Sequence, residues 1–147
     1  MQRFVSQFVN KLDAKGRVSV PAQYRQVLAA QATEGFYCIR SAGLRSLTGY
    51  GQERLDDLAE QLKAYPAGSH DYLVLATYAS QARQLGFDDE GRVRLPDEFI
   101  AYAGLKDRVL FSGAMQLFEI WDPETFAPVE AERAEEMRKR LGLGVRP

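Results

Sequence analysis

The same ten-residue pattern occurs twice in this chain, and any fold has to accommodate both copies. Residues 12–21 read Leu-Asp-Ala-Lys-Gly-Arg-Val-Ser-Val-Pro, and residues 87–96 read Phe-Asp-Asp-Glu-Gly-Arg-Val-Arg-Leu-Pro. An offset of 75 aligns Asp13 with Asp88, Gly16 with Gly91, Arg17 with Arg92, Pro21 with Pro96 and, past the proline, Tyr24 with Phe99. Further on the offset drifts to 71, setting Tyr50 opposite Trp121 and Leu55 opposite Phe126, as a loop of different length would produce. Two copies are too few for a solenoid, which needs several stacked units. The expectation is a pair of related units about a pseudo-twofold axis.

Each copy has the same local grammar. Phe4, Ser6, Phe8 and Asn10 alternate with Val5, Gln7, Val9 and Lys11, the period of a strand. Asp-x-x-Gly then breaks the strand, and Gly16 or Gly91 can supply the positive φ of a tight hairpin. The next strand is Arg17-Val18-Ser19-Val20, or Arg92-Val93-Arg94-Leu95, with Val18 and Val20 inward and Arg17 and Ser19 outward. Proline follows where a short helix should begin, since its missing N–H costs nothing in the first turn. This predicts helices over 21–30 and 96–103, and further strands over 35–40, 44–48, 108–112 and 117–121.

Elsewhere the periodicity is helical. Leu55, Leu58 and Leu62 share one face of a helix over 52–64. Pro66 and Gly68 break it, and Tyr72, Leu75, Ala76 and Ala79 line a second helix. Asp122-Pro123-Glu124 caps a last helix, which Pro128 should interrupt or restart. Four acids, Glu130, Glu132, Glu135 and Glu136, precede three bases, Arg138, Lys139 and Arg140, the order that suits a helix dipole. Packing and solvation account for these helices, with a helical layer mediating subunit contacts as the sharper alternative. The resulting division is a first unit over 7–54, a helical connection over 55–81, a second unit over 82–125, and a C-terminal helix and tail over 126–147.

Catalytic chemistry has little to work with. The one histidine, His70, lies between Ser69 and Asp71, and adjacent residues cannot converge as a triad. It reads as a surface or capping residue. One histidine and one cysteine are too few for a structural zinc site, and neither a phosphate-binding loop nor a dinucleotide fingerprint occurs. Asp88, Asp89 and Glu90 could hold a cation, although Gly91 and Arg92 follow at once, as in a solvated turn. No catalytic residue, metal site or cofactor is expected, and no small-molecule substrate. Cys38 has no intrachain partner, in keeping with a reducing cytosol. The alternating N-terminus lacks the apolar run of a signal peptide, and no stretch approaches the ~20 apolar residues of a membrane span. The expected location is the cytoplasm, with no membrane partner.

Charge distribution carries more than its total. A net charge of -1 hides +4 in residues 1–25, where Arg3, Lys11, Lys15, Arg17 and Arg25 face Asp13 alone. The equivalent 76–100 carry -2. The Asp13/Arg17 and Asp88/Arg92 pairs have two readings. Each carboxylate can fix its own turn, or the rigid turn can present the arginine and neighbouring lysine to a phosphate backbone. A two-stranded ribbon can enter a major groove, and basic side chains there supply most non-specific affinity. One such face per chain is weak, and several on one oligomer are much stronger through effective concentration.

The doubled motif, together with Phe118-Glu119-Ile120-Trp121, resembles the MraZ family of bacterial regulators over nearly the whole chain. A single copy would suggest only the broader AbrB/SpoVT class. The resemblance implies an α+β fold of two tandem swapped-hairpin β half-barrels in a pseudo-twofold arrangement with peripheral helices. It further implies a ring-like homo-oligomer, nucleoid association, and a repressor at direct repeats in double-stranded DNA upstream of its own operon, in the division and cell-wall gene cluster. By matching position, Lys15 and Arg17 stand where the first motif approaches DNA, with Asp13 as partner carboxylate, and Asp88 and Arg92 occupy the second. Candidate DNA contacts are thus Arg3, Lys11, Lys15, Arg17, Arg25 and Arg92, with Asp13, Gly16, Asp88 and Gly91 building the turns. The chain departs from the family at Ser6, where a glycine commonly follows the opening phenylalanine. It departs again at Gly68-Ser69-His70-Asp71-Tyr72-Leu73, which is nearly uncharged where many members carry arginines. Two further readings are an antitoxin or protein-interaction module on the same barrel, for which the tail beyond Leu141 is short, and an enzyme on a related barrel.

Overall fold

A computed structural model describes residues 2–144. In chain order it comprises β1 (Gln7–Lys11), β2 (Arg17–Ser19), α1 (Ala22–Ala30), β3 (Phe36–Arg40), β4 (Leu47–Tyr50), α2 (Gln52–Leu62) and α3 (His70–Ser80). It continues with β5 (Arg83–Leu85), β6 (Arg92–Arg94), α4 (Asp97–Ala103), β7 (Arg108–Ala114), β8 (Leu117–Trp121) and α5 (Pro123–Leu141). The last three residues of the expected tail, 145–147, lie outside the described residues.

Each unit keeps one hairpin of its own, β3–β4 in the first and β7–β8 in the second, and the remaining ladders run between the units. β1 runs antiparallel to β7 of the second unit, and β5 of the second unit runs antiparallel to β3 of the first. The expected hairpin between β1 and β2 does not form a ladder. One isolated bridge, Leu12 to Val18, joins them, because each first strand is donated to the other half. These are tandem swapped hairpins with helices outside, an α+β architecture. The sheets do not close into a barrel: six strands run in the order β1-β7-β8-β4-β3-β5, and β2 and β6 form a separate ribbon.

Register locates the pseudo-twofold axis. Val18 pairs with Val93, its own counterpart at the offset of 75, and Thr48 pairs with Glu119, its counterpart at 71. A residue that pairs with its own equivalent must sit on the axis, so the axis threads both sheets. The flanking bonds obey it: Leu95 N–H donates to Gly16 O at 2.8 Å, and Val20 N–H to Gly91 O at 3.1 Å.

The core fills the space both units enclose. Phe4, Tyr24, Phe36, Phe111 and Phe118 are all at most 1% exposed and meet edge-on or tilted at ring separations of 4.9–6.3 Å. Aromatic pairs in such geometries add roughly 0.5–1.5 kcal/mol each beyond their area burial. Tyr24 also donates its hydroxyl to Ser6 O at 2.6 Å, tying α1 to the entry of β1.

Three local expectations change. β4 begins at Leu47 rather than residue 44, because Ser41, Ser46 and Thr48 join hydroxyls at 2.8 Å and hold the preceding residues in a turn. Pro21 and Pro96 cap α1 and α4 from outside rather than opening them. Pro128 neither interrupts nor restarts α5, which is continuous through it. The ring removes one bond, to the carbonyl of Glu124, and the helix survives on its docking. That docking comes from Phe126 against Trp121 at 5.2 Å and from Arg133, whose fork grips the buried Glu119 at 2.7 and 3.1 Å.

Candidate nucleic-acid interface

The two motifs build the same turn. Asp13 Oδ1 accepts from the backbone N–H groups of Lys15 at 3.0 Å and Arg17 at 2.8 Å, and Oδ2 accepts from Arg17 Nε at 2.7 Å. Asp88 repeats this with Glu90 N–H at 2.9 Å, Arg92 N–H at 3.0 Å and Arg92 Nε at 2.9 Å. The backbone N–H of Arg17 does most to hold the Asp13 carboxyl below its usual range, helped by the Arg17 guanidinium. At Asp88 the backbone N–H of Arg92 leads, followed by that of Glu90. Gly16 and Gly91 close the turns at φ of +80° and +76°. A Cβ on Gly91 would also lie 2.9 Å from Arg25 Cζ. The structural reading of the Asp-x-x-x-Arg pairs is therefore realised in both copies.

Fixing the turn does not bury the arginine. The β2–β6 register places Arg17 opposite Arg94 and Ser19 opposite Arg92, while Val18 and Val93 point into the core. The outward face of the ribbon thus carries Arg17, Arg92 and Arg94 around the pseudo-twofold axis. Like charges directly opposite across a ladder destabilise it, so this face gains from an anion laid over it. Arg17 is offset by Asp13 alone, whereas Arg92 is offset by Asp88 and, at 3.5 Å, by Glu90. Arg94 and Lys15 form no ion pair among the described residues and line a common groove with Lys106.

The other expected contacts divide. Lys11 is exposed at the end of β1, opposite Arg108. Asn10, beside it, donates its amide to Ser19 O at 2.7 Å, which joins β1 to the ribbon. Arg25 packs over Gly91 and donates Nε to Val20 O at 3.1 Å, so it braces one unit's turn against the other. Arg3 is engaged by Glu53 of α2 at 2.9 Å. His70 is the exposed first residue of α3, whose cap is Ser69. Among the described residues no group of three His, Cys, Asp or Glu side chains could hold a metal ion, and no helix is long and apolar enough to cross a membrane.

Comparison with known proteins bears on what such a surface serves. A family model described as "MraZ protein, putative antitoxin-like" matches residues 78–141. The "Transcriptional regulator MraZ" of Xanthobacter autotrophicus is 38% identical, over 97% of this chain and 93% of its own. The chain belongs to the MraZ family. Proteins of the same name from Parvibaculum lavamentivorans and Rhizobium meliloti are 35% and 34% identical, over 100% and 97% of this chain and 96% and 98% of theirs. MraZ is a family of transcriptional regulators, not of enzymes.

For this MraZ chain, sequence reasoning missed Arg94. The signal was present, since period two puts Arg94 on the same face as Arg92, but the acids of residues 76–100 give that segment a net charge of -2. Those acids sit in the turn and on α4, whereas the strand itself is basic. The basic face is therefore not confined to the first unit. Ser6, where the family resemblance implies a glycine, takes a φ of +72°. The backbone keeps a conformation glycine adopts more readily, at some cost in strain.

Proposed function

We propose that this chain is a DNA-binding transcriptional regulator that lays the β2–β6 ribbon into a major groove. One observation carries the reading: three arginines share the outward face of a ribbon whose pseudo-twofold symmetry halves the number of independent contacts to be built. A two-stranded ribbon fits a major groove, where arginine reads guanine edges bidentately and lysine or arginine neutralises phosphates. Lys15 and Lys11 flank the ribbon at its turn and at the end of β1. Arg3 and Arg25 support the units and contact DNA less. The finer reading is a cytoplasmic, nucleoid-associated homo-oligomer, ring-like, that repeats this face and so binds direct repeats upstream of its own operon, repressing it. In this reading residues 7–54 and 82–125 are the functional units, 55–81 connects them, and 126–147 is the C-terminal helix and tail. Relatives named as transcriptional regulators support it.

The test is a gel shift with DNA from upstream of the gene, comparing wild type, Arg17→Ala and Arg92→Ala. Arg17 is the less neutralised of the pair, so its loss should weaken binding more. Equal binding by wild type and Arg17→Ala would remove the ribbon from the interface.

A further inference from the structure

Helices α2 and α3 lean together over a pocket of about 330 Å3 that the DNA-binding reading leaves unused. Its walls are apolar, from Leu58, Leu62, Leu75 and Ala79, and Arg54, Gln61 and Tyr78 supply its polar lining. Tyr50, just before α2 and outside that lining, is wholly buried, and its hydroxyl has no hydrogen-bond partner. The Nε of Arg54 is likewise buried without a partner. Burial pushes the Tyr50 hydroxyl up to about 12, with the Tyr78 hydroxyl adding to the rise and the Arg54 guanidinium opposing it.

Arg54 is short of a carboxylate although its own helix carries four. Glu53 pairs with Arg3, Asp56 with the Gln52 side chain, Asp57 with the Gln116 side chain and Glu60 with Lys63. Among the described residues Arg54 has neither an ion pair nor a side-chain hydrogen bond. A guanidinium with a buried, unpartnered nitrogen is unusual to leave without an acceptor, since buried polar groups are almost always satisfied. Ligand sites have this form, apolar walls with a few convergent polar groups.

We propose that this pocket takes a carboxylate carried on an apolar chain, with the Arg54 guanidinium and the Tyr78 hydroxyl holding the carboxylate and the leucines holding the chain. A guanidinium matches a planar carboxylate with two parallel hydrogen bonds. One cation against apolar walls suits a monoanion better than a phosphate dianion. The same chemistry has two sources, a free organic acid or a Glu or Asp side chain from a second copy of this chain.

The experiment uses the full chain with sodium octanoate as the probe and octanol as the uncharged control. Wild type, Arg54→Gln, Arg54→Lys and Tyr78→Phe are compared by calorimetric binding, thermal melting and native mass. Octanoate should bind wild type and raise its melting temperature, octanol should do neither, and Arg54→Gln should weaken octanoate binding about tenfold or more. Tyr78→Phe should weaken binding too, because it removes the hydroxyl that lines the pocket beside Arg54. Arg54→Lys keeps the charge and shows whether a folded chain without the planar fork loses affinity. If octanoate instead lowers the native mass of wild type, and Arg54→Gln lowers it without octanoate, the carboxylate comes from a second copy. The proposal is overturned if octanol binds as well as octanoate, or if Arg54→Gln binds octanoate like wild type. Absence of octanoate binding, together with an unchanged mass for Arg54→Gln, overturns it as well.

Discussion

Gly49→Ala should destabilise this protein although it adds a single methyl group in a strand. Gly49 pairs with Phe118 across β4 and β8, next to the pseudo-twofold axis. A Cβ at residue 49 would lie 2.3 and 2.4 Å from two carbons of the Phe118 ring, more than 1 Å inside ordinary contact. The ring cannot yield easily. It is fully buried, with Phe4 at 4.9 Å, Tyr24 at 5.0 Å and Phe36 at 5.1 Å between centroids. Inserting a methyl into a core this tight costs about 1–3 kcal/mol. Replacing glycine returns about 0.4–1 kcal/mol through the unfolded chain, because the backbone here is not in the left-handed region. A net loss of about 1 kcal/mol lowers the melting temperature by about 2–4 °C at this chain length. Urea titration and thermal circular dichroism measure both. The companion variant is Phe118→Leu, which alone opens the core but makes room for the methyl group that Gly49→Ala adds. The double variant should therefore be more stable than the sum of the single losses, with a coupling on the order of 1 kcal/mol. A neutral Gly49→Ala, or strictly additive losses, would refute this account of the core.

Arg94→Ala should reduce the salt dependence of DNA binding, since Arg94 is unpaired among the described residues and its charge is fully available. The slope of log K against log salt should fall by about 0.9 for each engaged ribbon, by more than for Arg92→Ala, and anisotropy titrations at several salt concentrations read it. An unchanged slope would take Arg94 off the interface. Pro128→Ala should stabilise the protein by about 1–3 kcal/mol by restoring an N–H to the middle of an exposed helical turn, seen as a higher urea midpoint at constant slope. Asp13 and Asp88 have lowered folded pKa values, so their contribution is present above the unfolded carboxylate range and is lost as pH falls through it, from about 4 downward. Asp13→Asn should flatten that acid limb in a stability-versus-pH series.

The doubled motif made the tandem architecture legible because each motif residue has a local job. Asp13 and Asp88 need backbone donors within four residues, and Gly16 and Gly91 need a positive φ. Such requirements act over a single turn, so spacing alone reveals them. Alternation likewise placed Val18 and Val93 inward, helical period placed α2 and α3, and the Asp122-Pro123 cap placed the start of α5. Pro128 misled because the rule for proline is local, while the ties that keep α5 helical, Phe126 to Trp121 and Arg133 to Glu119, cross between elements.

What the amino-acid order determined by itself was therefore the pair of units, their turns and the inward and outward faces of each strand. Which strand lies beside which was decided only in three dimensions. Periodicity says that Arg17 and Arg94 face outward, but the same alternation would hold if β2 paired with β1. Exchange of first strands between the halves sets Arg17 opposite Arg94 and merges what the charge count kept apart as a basic and an acidic unit. That Arg54 lacks a carboxylate partner is also a tertiary fact, since four carboxylates on its own helix are in reach by sequence and each is drawn to another partner by the packing.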